Sequence, residues 1–185
     1  MRIGIDIDDT ITNTWEDILP FYSLLFDVPI DKLKKSTPYY SSLDNKYSLD
    51  EYFKLVQPIY DNISPRVSLK KDVVKVLNDL HKRGHKIIFI TSRGAGYTNA
   101  YKLTKDYLDR HGIVYDKLLV GANRDKSKVC LDEKIDLFID DSYKHCVSVS
   151  NKGIRVLMAY NYYNKDAEFE HLNDWNDIYK YIEDR

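Results

Sequence analysis

The chain has 185 residues, 43% of them hydrophobic and 31% charged, with 28 Lys+Arg against 29 Asp+Glu for a formal net charge of -1. That length fits one domain with a small insert, and a chain of this size buries roughly 70% of its unfolded surface, so neither disulfides nor a structural metal are needed. The near-neutral balance argues against a nucleic-acid polymer or an anionic membrane as main partner, and no apolar run approaches the ~18 residues of a membrane span. Met1-Arg2-Ile3-Gly4-Ile5-Asp6 reaches a carboxylate too soon for a secretory leader, and Cys130 and Cys146 lack metal-ligand spacing. Two buried, reduced thiols in a cytoplasmic protein are expected.

Arg2–Ile5 is the first strand-length run. Residues 12 to 66 then separate it from the next unit, far more than a βα loop of ~2–6 residues. Within them Trp15, Ile18, Leu19, Tyr22 and Phe26 recur at helical spacing, as do Leu49, Tyr52, Phe53 and Val56, with Pro29, Pro38, Pro58 and Pro65 as punctuation. Val73, Val76, Leu77 and Leu80 then share a helical face that ends at Gly84, followed by the apolar run Lys86–Ile90. Tyr97, Tyr101, Thr104 and Leu108 make the next helix, closed by Gly112, and Lys117–Val120 the next strand. Lys126–Glu133, Leu137–Ile139, Ser142–Val149, Arg155–Ala159 and Trp175–Ile182 continue the alternation of helix and strand. Buried β-branched runs alternating with amphipathic helices predict an α/β fold, a doubly wound parallel sheet built from residues 1–11 and 67–185. Residues 12–66 read as a small helical cap above the first strand's carboxyl end, where open α/β sheets place their ligand clefts.

Four strand ends carry chemistry. The first runs into Asp6-Ile7-Asp8-Asp9-Thr10, where Asp6 and Asp8 project to one side of a cleft and Ile7 returns to the core. Acids this dense must be solvated, paired or neutralised by a cation, and hard oxygen ligands suit Mg²⁺. The second ends in Thr91-Ser92-Arg93-Gly94, hydroxyls and amides able to hold phosphate oxygens. The third, Asn123-Arg124-Asp125-Lys126-Ser127-Lys128, opens a helix with lysine against the macrodipole, which calls for a compensating anion. The fourth ends in Asp140-Asp141-Ser142. Each alone is an ordinary strand end or helix cap; the set converging on one rim favours a site.

This order resembles the haloacid dehalogenase superfamily of phosphotransferases over residues 1 to about 160. Its DxDx(T/V) motif matches Asp6, Asp8 and Thr10, its strand-end hydroxyl Thr91, its lysine Lys126 or Lys128, and its acidic pair Asp140 and Asp141. Arg124-Asp125-Lys126, Ile139-Asp140-Asp141, Thr91-Ser92, Asn173-Asp174-Trp175 and Ile178-Tyr179 resemble the 5′(3′)-deoxyribonucleotidase family, although Asp9-Thr10 stands where those enzymes usually carry Gly-Val. The resemblance implies a Mg²⁺-dependent phosphomonoesterase acting on nucleoside monophosphates, inert without its metal. It implies Asp6 as nucleophile and Asp8 as acid and base, with Mg²⁺ held by Asp6, the Asp8 carbonyl and Asp140, and Asp141 behind or bound through water. Thr91 and Ser92 would hold phosphate oxygens. Lys126 is preferred to Lys128 for neutralising charge because its Arg-Asp-Lys context is the nucleotidase-like one; the two point roughly 200° apart on a helix, so only one of them can face the phosphate. The cap carries Trp15, Phe21, Tyr22, Phe26, Tyr39, Tyr40, Tyr47, Tyr52, Phe53 and Tyr60, most of them expected to form its own core and at most two or three to face the cleft. Competing readings are a phosphatase of a small non-nucleotide metabolite, a receiver-like phospho-aspartate switch and a degenerate binding module.

Overall fold

The computed structural model describes residues 1–36, 38–43, 46–121 and 125–183. Strands β1 (Arg2–Ile5), β2 (Lys86–Thr91), β3 (Lys117–Val120), β4 (Leu137–Asp140), β5 (Arg155–Ala159) and β6 (His171–Leu172) form one sheet in the order β3-β2-β1-β4-β5-β6. Every pairing is parallel. From the central β1 the chain first builds outward to β3, then returns to lay β4, β5 and β6 on the other side, giving the α/β doubly wound arrangement.

Strand periodicity of two divides the core. Ile3, Ile5, Ile87, Phe89, Leu137, Ile139 and Leu157 face one layer, and Ile88, Ile90, Phe138, Val156 and Met158 the other. Gly4 leaves little room between them: a Cβ there would sit 3.1 Å from Ile135 Cγ2 and 3.2 Å from both Ile90 Cδ1 and Phe138 Cδ2, so these side chains would have to shift.

Between β1 and β2 lie α1 (Thr14–Phe26), α2 (Ile30–Leu33) and α3 (Leu49–Asn62), with 3₁₀ turns at Tyr39–Leu43 and Ser64–Arg66. Trp15, Ile18, Leu19, Tyr22 and Phe26 of α1 and Tyr52 and Val56 of α3 are all buried. Phe21 is exposed instead, on the outer face of α1. Pro58, expected to mark a break, lies inside α3, whose start is fixed by a reciprocal Ser48–Glu51 capping box and whose apolar face holds the rest. The segment leaves and rejoins the sheet through two linkers tied side by side: Thr12 bridges Leu69, Asn13 N–H donates to Ser68 O at 2.9 Å and Lys70 N–H to Ile11 O at 2.9 Å. Its apolar residues and those of the first sheet layer form one continuous cluster.

Helices α4 (Val73–Lys82) and α5 (Ala100–Arg110) cover that same layer, together with the terminal α8 (Ile178–Glu183). Helices α6 (Lys126–Asp132) and α7 (Tyr143–Ser150) cover the opposite one, burying the free thiols Cys130 and Cys146. Three sequence expectations shift. Helix α5 begins at Ala100, because the Asn99 side chain caps Lys102 N–H at 3.1 Å, and Tyr97 is left in the preceding loop. The last helix is a 3₁₀ turn, Trp175–Asp177, that runs into α8, and the two-residue β6 was too short to read as a strand. Asn123 and Arg124 lie outside the described residues. Among the described residues, no helix is long and apolar enough to cross a membrane.

Candidate active site

The carboxyl ends of β1, β2 and β4 open into a cavity of about 1120 Å³, beside the strand at which the winding reverses. Asp6 continues β1 by donating its N–H to Ile139 O at 2.9 Å, which sets its carboxylate beside that of Asp140. Lys126, the first residue of α6, reaches between them: Nζ donates to Asp6 Oδ1 and to Asp140 Oδ2, each at 2.7 Å. Lys126 is 2% exposed, whereas Lys128 points to solvent. The unfavourable position of a cation at a helix start is thus offset by two buried carboxylates, with Asp125 as the cap that accepts from Ser127 N–H. Asp140 Oδ1 accepts from Ser142 N–H at 2.8 Å, and His145 Nδ1 lies 3.3 Å from Asp140 Oδ2. Asp141 accepts from the Tyr163 hydroxyl at 2.6 Å.

Carboxylate oxygens of Asp6, Asp140 and Asp141 lie within 4.8 Å of one another. Burial, with Asp140 and Asp8 nearby, raises Asp6 to about 6 although Lys126 opposes it. Burial and the charges of Asp140, Asp9 and Asp6 push Asp141 well above the usual carboxylate range. Asp140 is also buried, but Lys126 and His145 hold it below that range. With a cation holding all three ionised, these carboxylates against the ammonium of Lys126 would leave two formal negative charges on oxygen donors, a set that fits one hard divalent cation.

Asp8 is arranged differently. Arg93 Nε donates to its Oδ2 at 2.8 Å and Arg93 Nη2 to its Oδ1 at 2.7 Å, where Thr14 Oγ1 also donates at 2.7 Å. Burial alone would raise Asp8, but the charge and hydrogen bonds of Arg93 outweigh it and hold the carboxyl below its ordinary value. Its side chain therefore stands outside the carboxylate trio. Thr91 is buried at the end of β2, its hydroxyl accepting from Arg93 N–H at 3.3 Å, and Ser92 lines the cavity.

Asp9 adopts a left-handed φ of 56°, the conformation that suits the glycine usual at this position in the deoxyribonucleotidases the sequence resembles. Its buried carboxylate accepts from Trp15 N–H at 2.8 Å and from the Tyr39 hydroxyl, a side chain of the helical insert. Five insert aromatics line the cavity, Tyr39, Tyr40, Tyr52, Phe53 and Tyr60, rather than two or three. Insert core and cavity share a wall: Tyr52 and Tyr60 are 2% and 8% exposed, with hydroxyls 2.7 Å apart, yet still reach the cleft. Sequence reasoning gave no role to Arg93, Thr14 or Tyr163. Arg93 was visible two residues past Thr91, but Tyr163 sits on the crossover before β6, whose strand carried no signal.

Among solved structures, a protein described as a predicted phosphatase from Clostridium acetobutylicum superposes with a TM-score of 0.74 over 100% of this chain and 98% of that one, at 16% identity. A haloacid dehalogenase-type phosphatase from Thermococcus onnurineus gives 0.59 over 98% and 97%, at 14% identity. Both establish the fold. In sequence, a Clostridium acetobutylicum protein named as a nucleotidase is 29% identical over 188 residues, 99% of this chain and 94% of that protein. The profile of the family described as "5' nucleotidase, deoxy (Pyrimidine), cytosolic type C protein" matches residues 1–185. The chain belongs to that nucleotidase family, and is a phosphatase with the fold of the haloacid dehalogenase-type phosphatases.

Proposed function

We propose that the protein hydrolyses nucleoside monophosphates, deoxyribonucleotides in particular, through an aspartyl-phosphate on Asp6 and with Mg²⁺ as cofactor. The observation that carries this reading is the Asp6 carboxylate, bonded to Lys126 beside Asp140 and Asp141 on the floor of an aromatic-walled cleft. Asp6, Asp140 and Asp141, with the backbone carbonyl of Asp8, are the residues to hold the cation. Bound there, it supplies the positive charge that lets a phosphate dianion approach three aspartates.

In the first step an oxygen of Asp6 bonds to phosphorus as the bond to the leaving oxygen breaks, and Asp8 gives that oxygen its proton. Water then attacks the aspartyl-phosphate, its proton passing to Asp8 and the Asp6–phosphorus bond breaking. Ionised Asp8 is the form the second step needs. The acid form is reached with the phosphate beside it, where like charge favours protonation. Thr91 and Ser92 orient phosphate oxygens, and Lys126 neutralises charge shared by Asp6 and the phosphoryl group. The insert roofs the cleft and excludes bulk water, with a nucleobase resting on its aromatics. The free buried thiols support a cytoplasmic location.

The test compares kcat/KM for dUMP and dTMP with that for deoxyribose 5-phosphate, with Mg²⁺ and with a chelator. A stacked base contributes ~1–3 kcal/mol, tenfold or more in favour of the nucleotide. Equal values would replace the nucleotidase reading by a phosphatase of small phosphometabolites, and undiminished turnover with chelator would remove the metal.

A further inference from the structure

We infer that Arg93 is a positioning residue for proton transfer, its guanidinium fork holding the Asp8 carboxylate in the one orientation that serves the leaving oxygen. This rests on the hydrolase reading above and adds to it a role for a residue outside the Asp, hydroxyl and Lys set.

The geometry separates Arg93 from a phosphate clamp. Both oxygens of Asp8 are engaged by the fork, at 2.8 and 2.7 Å, a bidentate pairing that fixes the carboxylate plane as well as its place. The fork is itself immobilised. Arg93 is 4% exposed, its Nη1 donates to Thr104 Oγ1 at 3.4 Å, and its guanidinium carbon lies 6.0 Å from the Tyr97 ring centroid and 5.9 Å from that of Tyr107. Thr104 and Tyr107 both belong to α5, so the orientation of Asp8 on the β1 loop is set by a helix from the next βα unit. The cation beside Asp6 is a different one, Lys126. Arg93 spends its charge on the proton carrier, Lys126 on the nucleophile.

A group that acts through Asp8 matters in proportion to the proton the leaving oxygen needs. The alkoxide of a nucleotide must be protonated as it departs, whereas p-nitrophenolate leaves without a proton. Loss of a positioned general acid costs ~10²–10⁴-fold. Arg93→Ala is therefore expected to lower kcat/KM for dUMP by about 10²-fold or more, and for p-nitrophenyl phosphate by less than about tenfold. Arg93→Lys keeps a charge but not the fork and should show the same leaving-group pattern. In an Asp8→Asn background, Arg93→Ala should add under about threefold, because the two residues act as one unit.

Equal losses on the two substrates, or a full further loss in the Asp8→Asn background, would overturn the inference and make Arg93 a phosphate-binding or purely structural residue. Thermal melts establish which variants fold; should Arg93→Ala fail to, Arg93→Lys and the double variant Asp8→Asn/Arg93→Lys decide by the same criteria. A wild-type enzyme inactive on both substrates would instead overturn the hydrolase reading on which this one rests.

Discussion

Replacing Lys126 with methionine keeps the length of the side chain and removes its charge. The ammonium is 2% exposed and bonds Asp6 and Asp140, themselves 6% and 0% exposed, at 2.7 Å each, so solvent does little to soften its loss. The two carboxylates, with Asp141 alongside, are left buried and mutually repelling. Removing one partner of a buried ion pair costs ~3–5 kcal/mol. In a chain of this size each kcal/mol moves Tm by about 2–4 °C, so the metal-free variant should melt about 6–20 °C below wild type. Mg²⁺ should raise the variant's Tm more than the wild type's, because a cation at the carboxylates takes over the neutralisation that Lys126 supplied. Differential scanning calorimetry in chelator and in excess Mg²⁺ measures both differences. A variant that melts within about 2 °C of wild type in chelator would refute the claim that Lys126 holds the carboxylates together.

Asp6→Asn should fold and lose turnover entirely, since an amide cannot attack phosphorus; steady-state phosphate release at the wild-type rate would remove Asp6 as nucleophile. Asp9→Ala puts a Cβ with no hydrogen-bonding group at φ 56° and leaves the Trp15 amide and Tyr39 hydroxyl without their acceptor, which should cost ~2–4 kcal/mol in urea titration. Burial raises Asp9 to about 7, above its unfolded value, so the native state binds this proton more tightly and its contribution to stability is lost as pH rises from about 4 to 7. The stability difference between wild type and Asp9→Ser should accordingly shift against wild type between pH 5 and 8, and a pH-independent difference would contradict the burial argument. Gly4→Ala should cost ~1–3 kcal/mol by overpacking against Ile135, Ile90 and Phe138, read from the urea midpoint.

The core was legible because its signals are local. An unbroken apolar run such as Ile87–Ile90 or Leu137–Ile139 reports a strand buried on both faces wherever it sits, and a strand that ends in paired acids reports a rim. The sheet carries Asp6, Thr91 and Asp140 at the ends where the sequence put them. What stayed hidden is pairing across long separations. That Arg93 serves Asp8 follows from β2 lying next to β1, and that Tyr163 reaches Asp141 follows from the crossover before β6. Pro58 misled because a capping box and a buried face outweigh one missing N–H. Tyr97 misled because Asn99 offered a better helix start than the apolar spacing implied.

The unbroken apolar cluster that joins insert to sheet bears on how such enzymes diversify. Tyr22 and Val56 belong to the same cluster as Leu77 and Tyr107, and Arg110 Nη2 on α5 donates to Pro65 O across the junction. A segment attached only by its two ends could be exchanged like a cartridge, bringing a new specificity to an old catalytic floor. Here a transplanted roof would arrive with the wrong underside. Residues on α4 and α5 would have to change with it, so new specificity is reached more readily by substituting the wall tyrosines in place than by trading the whole segment.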